Sequence, residues 1–263
     1  MKNNYLVSVN DFEEINEYKK VGINTFLFAL EDFSIGYLNT FTVEEINNYV
    51  DSYVLINRLL DCRDIDNLKE ILPRLNVKGI VYEDIGVFQL VKKLNLNLEL
   101  IFFQNHFGTN AQSIKYWLDK GVNAVFCSNE LTYKEIELLV NSNKNSVVVQ
   151  VLGYNQAMYS RRLLLSNYHE HFKLVNKKDC ILEEINSKMH FRAVENTYGT
   201  VLYNGKLFNG LSLTNLDNVR YFYINGTFLG VKKVIECLNG LKTDCDDGFL
   251  EKETIFKLKE HVK

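Results

Sequence analysis

The sequence Val147-Val148-Val149-Gln150-Val151-Leu152 is a continuous apolar run that stops at Gly153. A short run rich in β-branched residues and bounded by glycine predicts a strand that is buried on both faces. Seven similar runs occur along the chain, and amphipathic helical segments separate most of them. This alternation is typical of parallel β/α units, which places the chain in the α/β class.

The other predicted strands, in chain order, are 5–9, 25–30, 53–56, 79–82, 98–103, 124–127 and 220–224. Eight strands in this rhythm predict a TIM-like (β/α)8 barrel, and 263 residues suit one such domain over 1–263. An open doubly wound sheet is the alternative, which the strand count disfavours. The rhythm breaks between strands seven and eight, where we predict an insertion at about 169–215 with a β-hairpin at 190–203, packed over one end of the barrel.

Local signals also predict where several helices begin. Thr42 with Glu45, Thr132 with Glu135, and Asp11 with Glu14 have the spacing of a capping box. In this motif the side chains at the two positions satisfy each other's backbone amides. We therefore expect a helix to start at each of the three places.

The composition is that of an ordinary globular protein, with 46% hydrophobic and 24% charged residues and a net charge of −3. This charge argues against non-specific binding of nucleic acid by the whole surface, and the basic residues at 161–192 are diluted by acidic ones. The five cysteines are scattered and form no Cys-x-x-Cys pair, which favours reduced thiols. We find no signal-peptide pattern and no run long enough to cross a bilayer, so we expect a cytoplasmic protein without membrane contact.

Polar residues follow most of the predicted strands, at the end where barrel enzymes carry their active sites. Polar strand ends and helix caps are common in any protein, so each residue alone has an ordinary structural explanation. The residues are Glu31-Asp32, Asn57-Arg58, Glu83-Asp84, Gln104-Asn105-His106, Ser128-Asn129-Glu130, Gly153-Tyr154-Asn155-Gln156 and Asn225-Gly226.

Three of these strand-end or loop residues are candidate catalytic groups. His106 could act as a general base because its unperturbed pKa lies near neutrality, although a hydrogen-bonded loop histidine is the common alternative. Glu130 would shape the pocket, as would Ser160, which does not lie in a Gly-x-Ser-x-Gly elbow. The segment 169–171, His-Glu-His, has no evident third ligand, so we predict no metal site.

The segment that follows Gly153 contains the adjacent arginines Arg161 and Arg162. Arginine binds carboxylate or phosphate in a bidentate way, so the pair predicts an anion-binding loop. The alternative is a βα loop with solvated arginines and core leucines. The full set of predicted ligand- or anion-binding residues is Arg161, Arg162, Asn110, Asn155, Gln156, Glu83 and Asp84.

Several segments together resemble the collagenase-like peptidase U32 family. The signature is similar to residues 152–168, and the strand-end motifs to 83–87, 108–117 and 130–131, in the same order. Glu195-Asn196-Thr197-Tyr198-Gly199-Thr200 resembles the family's Glu-Asp-x-x-Gly-Thr hairpin. Residues 246–254 look like the tail of its short, cysteine-poor members.

The resemblance implies a family of unassigned peptidases and of proteins for oxygen-independent hydroxylation, of ubiquinone precursors or of the tRNA wobble uridine with prephenate as co-substrate. Many members hold a [4Fe-4S] cluster on four cysteines, and two of those positions are Gln156 and Leu163 here, while the family histidine is Leu152. Neither Gln156 nor Leu163 can replace a thiolate ligand. We therefore expect that this chain binds no cluster.

The leading prediction is a protein that supports 5-hydroxylation of the tRNA wobble uridine as a cluster-less subunit. We expect a longer, cluster-bearing homologue as partner, tRNA as a further partner, and a small carboxylate such as prephenate near Arg161 and Arg162. The alternatives are a peptidase, for which the residues supply no nucleophile–base pair, and a non-catalytic binding subunit.

Overall fold

The computed structural model describes residues 4–104, 106–240 and 244–253. Asn105 and Thr254, which belong to segments named above, lie outside the described residues. No helix in the described ranges is long and apolar enough to cross a membrane.

The described strands belong to two sheets and are numbered in chain order. They are β1 Tyr5–Ser8, β2 Thr25–Ala29, β3 Tyr53–Ile56, β4 Gly79–Tyr82, β5 Glu99–Phe102, β6 Ala124–Phe126, β7 Val147–Gly153, β8 Gln156–Ser160, β9 Asp179–Glu183, β10 His190–Asn196, β11 Gly199–Asn204, β12 Leu207–Asn209, β13 Tyr221–Asn225 and β14 Cys245–Asp246. The α-helices are α1 Glu13–Lys20, α2 Val43–Ile46, α3 Cys62–Ile71, α4 Ile85–Lys93, α5 Ala111–Asp119, α6 Tyr133–Ser142, α7 Leu164–His171 and α8 Gly230–Leu238. Two 3-10 helices span Leu72–Arg74 and Leu211–Asn215.

Eight parallel strands close into a barrel in the order β1 to β7 and then β13. The β13 strand pairs in parallel with β7 on one side and with β1 on the other. Because no open edge remains between these strands, the predicted (β/α)8 barrel is confirmed and the open sheet is wrong. Short strands β12 and β14 extend the sheet beside β7.

Alternate residues of the barrel strands point inward and outward, as the period of a strand requires. The inward set forms its own apolar cluster, while the outward set packs against the surrounding helices in the larger core. The interior cluster consists of Leu6, Leu27, Tyr53, Leu55, Val81, Ile101, Ala124, Phe126, Val148, Tyr221 and Tyr223. The barrel is therefore a packed core, and a ligand can reach it only at its ends.

A second, antiparallel sheet of four strands lies between β7 and β13, in the order β8-β11-β10-β9. The predicted hairpin is confirmed, with Val194 opposite Val201 across β10 and β11. The excursion from the barrel begins at Gln156, before the predicted start near 169, because β8 already pairs with β11. The interpretation of 154–168 as a single βα loop is wrong for the same reason.

The second sheet packs over the C-terminal end of the barrel. Its Val201 and Tyr203 form a buried cluster with Ile35, which follows β2. The Tyr203 hydroxyl donates to the Gly36 carbonyl at 2.7 Å. The sheet thus covers part of the barrel end at which the candidate residues were predicted.

Candidate functional site

A layer of polar side chains closes the barrel interior at its C-terminal end. Its buried members are Ser8, Asn57, Ser128, Gln150 and Asn225, each two residues beyond a member of the interior apolar cluster on its own strand. Ser8 Oγ donates to Asn225 Oδ1 at 3.3 Å across the β1–β13 pair. Because side chains two residues apart on a strand point the same way, these polar groups point into the barrel like the apolar residues before them. We call this C-terminal opening of the barrel the barrel mouth.

Glu83 belongs to the same layer, two residues beyond Val81 on β4. Its Oε1 is enclosed and has no hydrogen-bond partner among the described residues. Burial raises the pKa of this carboxyl to about 8, so Glu83 is mainly neutral at pH 7. A neutral carboxyl donates a hydrogen bond, which makes Glu83 a proton-carrying group rather than a fixed charge.

A cavity of about 220 Å³ opens beside this layer, and we call it the amide cavity. Four of the predicted residues meet in it, although they follow three different strands. Its lining consists of His106, Asn129, Glu130, Asn155, Gln156, Ala157, Asn204 and Phe249. The structure thus brings together two catalytic candidates and two ligand-binding candidates at the barrel mouth.

His106 and Glu130 form a close pair at the rim of the amide cavity. The His106 Nδ1 lies 3.4 Å from Glu130 Oε1, and both side chains are about half exposed. A carboxylate beside an imidazole can orient the ring through a hydrogen bond. The pair can accept or deliver a proton, whereas its exposure gives it little value for stability.

Hydrogen bonds fix the orientation of the amides on the inner wall of the cavity. Asn155 Oδ1 accepts from Gln150 Nε2 at 2.8 Å and from Asn129 Nδ2 at 3.2 Å. Asn129 Nδ2 also lies 3.3 Å from Gln150 Oε1. The Asn155 NH2 group and the Asn129 side-chain oxygen form no hydrogen bond within the described ranges, so both can serve another partner.

Close packing of the barrel mouth depends on Gly153, at the end of β7. Its φ is +125°, and a Cβ at this position would lie 2.5 Å from the Cβ of Asn225. Only glycine tolerates both conditions. The chain can therefore leave the barrel against β13 and place Asn155 and Gln156 in the cavity.

The two predicted arginines lie outside the amide cavity. Arg161 and Arg162 follow β8, and both are exposed. No side-chain hydrogen bond or ion pair of either arginine occurs among the described residues. They remain available for an anion at the surface of the second sheet. Anion binding by the two arginines stays a prediction.

Three other candidates hold local backbone structure. Asn110 and Asp84 are N-caps, accepting from the amides of Ser113 at 2.9 Å and Gly86 at 2.7 Å. Ser160 Oγ accepts from the Arg162 amide at 3.2 Å. These bonds support the ordinary structural explanation of capping and turn formation for the three side chains.

Glu195 belongs to the hairpin motif at 195–200, and its contacts give it a structural role. Its carboxylate accepts from the Leu165 and Ser166 amides, at 2.7 and 3.1 Å, at the start of α7. Although burial raises its pKa, hydrogen bonds from Ser166, Lys178 and Thr200 hold it at about 2. Glu195 therefore anchors helix α7, and with it the arginine segment, to the second sheet.

Arg58 stood among the strand-end residues but was not a candidate. Its side chain is 4% exposed, pairs with Asp64 and lies 3.8 Å above the Tyr198 ring. Its Nε has no hydrogen-bond partner among the described residues. The only sequence feature that could have indicated Arg58 was its position directly after β3. Many ordinary loop residues also directly follow a strand.

The residues at the family's cluster positions do not fit a [4Fe-4S] cluster. Gln156 lies in the amide cavity, and Leu163 precedes helix α7. Cys180, the cysteine nearest to these two positions in the sequence, lies opposite Ala193 in the second sheet. Within the described ranges, no three His, Cys, Asp or Glu residues are grouped so as to hold a metal ion.

Comparison with known proteins gives a family and a curated relative. The model of peptidase family U32 matches residues 10–238. The tRNA hydroxylation protein P2 of Bacillus subtilis (strain 168) is 23% identical over 204 residues, which are 73% of this chain and 66% of the relative. The match thus spans just under two thirds of that relative's length.

Solved structures of similar shape include two chitinases. One, from Chromobacterium violaceum, has a TM-score of 0.44 at 8% identity and covers 88% of this chain and 99% of its own. The C-terminal domain of a second, from Desulfitobacterium hafniense, has a TM-score of 0.44 at 10% identity and covers 91% and 99%. Because the family model spans most of the sequence, this chain belongs to peptidase family U32.

Proposed function

We propose that this chain supports hydroxylation of tRNA, at position 5 of the wobble uridine. The observation that carries the proposal is its similarity to the tRNA hydroxylation protein P2 over 73% of the chain. Membership of family U32 is consistent with it.

The amide cavity is the site at which we propose that this function is served. It combines a His106–Glu130 proton-transfer pair with carboxamides that can hydrogen-bond an uncharged heterocycle. Glu83 adds a mainly neutral carboxyl in the adjoining layer of the barrel mouth. Such a site can bind and orient a base and move protons.

The oxidative part of the reaction is proposed to come from outside the chain. Gln156 and Leu163 supply no thiolate, so we propose a longer, cluster-bearing homologue as partner in the cytoplasm. Prephenate is the proposed co-substrate. Arg161 and Arg162 are exposed and can pair with its carboxylates or with an RNA phosphate.

Deletion of the gene in its native host tests the proposal, with mass spectrometry of tRNA nucleosides as the readout. We expect the 5-hydroxyuridine derivatives to fall and a plasmid copy of the gene to restore them. Unchanged levels in a strain without a second cluster-less homologue would refute the proposal. Co-purification of the longer homologue with a tagged chain tests the partner separately.

The peptidase alternative has weaker support from the structure. Among the described residues, the lining of the amide cavity includes no serine, threonine, cysteine or lysine. Ser160, the predicted serine, is held by the Arg162 amide and is not among them. A nucleophile beside the His106 base is therefore missing from the cavity lining.

A further inference from the structure

The amide cavity has the size and the chemistry of a pocket for one nucleobase. Its volume of about 220 Å³ is below the roughly 300–1,000 Å³ of pockets for drug-sized ligands. A single heterocycle suits this volume better than a whole nucleotide or a peptide segment. The pocket lies at the barrel mouth and is open to solvent, so a base can enter from outside.

The inner wall presents a donor beside an acceptor. The NH2 group of Asn155 and the carbonyl oxygen of Asn129 are left for a ligand by the network with Gln150. The side-chain amides of Gln156 and Asn204 form no hydrogen bond within the described part of the chain and can supply a further donor. This alternation complements the imide edge of uracil, where N3–H stands between two carbonyl oxygens.

The rim of the cavity provides an aromatic face and a positive charge. Phe249 lines the cavity and is 38% exposed, so part of its ring is accessible from solvent. Bases stack on such rings in most single-stranded RNA sites. The Lys252 ammonium lies 4.9 Å from the Phe249 ring centre and places a positive charge beside the ring.

We propose that the amide cavity binds the uracil base of a uridine that is turned out of its RNA loop. Asn155 and Asn129 read the imide edge, and Phe249 stacks on the ring. The choice of uracil over other bases rests on the proposed tRNA function, whereas the existence of a base pocket rests on the cavity itself. The His106–Glu130 pair then lies at the edge of the same cavity as the base.

Ligand-detected NMR with uridine, cytidine and adenosine tests this proposal on the purified full chain. We expect saturation transfer to uridine and a lower dissociation constant for uridine than for the other two nucleosides. Asn155→Ala should weaken uridine binding about tenfold through the lost edge contact. Phe249→Leu, which keeps apolar volume, should weaken it about tenfold through lost stacking.

Asn24→Ala is the matched control, since Asn24 is an exposed asparagine just before β2, at the opposite end of the barrel. It should leave uridine binding unchanged. No transfer to uridine, equal binding of cytidine or adenosine, or equal loss in the control would overturn the proposal. Uridine binding with unchanged tRNA hydroxylation on gene deletion would instead refute the proposed function and leave the pocket standing.

Discussion

The enclosed carboxyl of Glu83 makes the stability of the barrel depend on pH. Burial raises its pKa from 4.5 to about 8, so the folded chain keeps a proton that the unfolded chain releases near pH 4.5. Between these two values the folded state binds one more proton, and the free energy of unfolding falls as the pH rises. Below about pH 4.5 and above about pH 8, this group contributes no slope.

The size of the effect follows from the pKa difference at about 1.4 kcal/mol per pH unit. The full change from pH 4.5 to pH 8 is about 5 kcal/mol, as an upper limit because part of the side chain contacts solvent. Glu83→Gln removes the titration and keeps the size and the hydrogen-bond donor. We therefore expect the wild type to lose stability relative to this variant as the pH rises.

Urea denaturation at several pH values between about 5 and 8 measures this difference directly. Taking the variant as reference cancels the titration of the other acidic groups. The wild type should lose up to about 1.4 kcal/mol per pH unit relative to Glu83→Gln. Parallel stability profiles for the two proteins would show that Glu83 ionises normally and would refute the reasoning.

Three further predictions concern the second sheet and its arginines. Glu195→Ala removes the acceptor of the α7 amides and should cost about 3 kcal/mol in urea unfolding, whereas a loss below about 1 kcal/mol would contradict its anchoring role. Gly199→Ala should lower the free energy of unfolding by at least about 1–3 kcal/mol in the same assay. The φ angle of Gly199 is +140°, and a new Cβ would lie 2.1 Å from the Ser160 carbonyl oxygen. Wild-type stability of this variant would show that the turn relaxes. The double variant Arg161→Ala/Arg162→Ala should have a free energy of unfolding within about 0.5 kcal/mol of the wild type. It should bind tRNA more weakly, and the slope of log affinity against log salt concentration should fall by about 2. An unchanged slope in filter binding would exclude phosphate contacts.

The barrel was predictable because its signals are local. Each strand is a short apolar run, and the capping boxes of Thr42 with Glu45 and of Thr132 with Glu135 form as expected. The third box is wrong, since Asp11 accepts from the amide of Glu13 while Glu14 accepts from that of Asn10. Helix α1 buries Ile15 and Tyr18 in the core and has no side-chain N-cap bond, so the error left the fold prediction intact.

Strand β8 escaped prediction because its pairing is not local. Its residues are half-buried or exposed, and its partner β11 begins only at Gly199, with Thr200 opposite Ser160. Nothing within 156–160 alone distinguishes an edge strand of this kind from a polar loop. The arginines therefore follow an edge strand of the second sheet and not a strand of the barrel.

The amide cavity was predicted in part. His106, Glu130, Asn155 and Gln156 follow barrel strands, so the rule that strand ends converge was enough to bring them together. Asn204 ends a strand of the second sheet and Phe249 follows β14, and no periodic pattern links either residue to the barrel mouth. Such residues become visible only in three dimensions.

The most direct test of the site is the level of 5-hydroxyuridine derivatives in tRNA from a deletion strain that carries single variants. Glu130→Gln and Asn155→Ala change the amide cavity. Tyr82→Phe removes a buried hydroxyl outside the barrel interior that has no hydrogen-bond partner among the described residues. We predict that the wild type and Tyr82→Phe restore the modification at equal protein levels, whereas both cavity variants fail to do so. Full restoration by Glu130→Gln and Asn155→Ala would contradict the assignment of the amide cavity as the functional site.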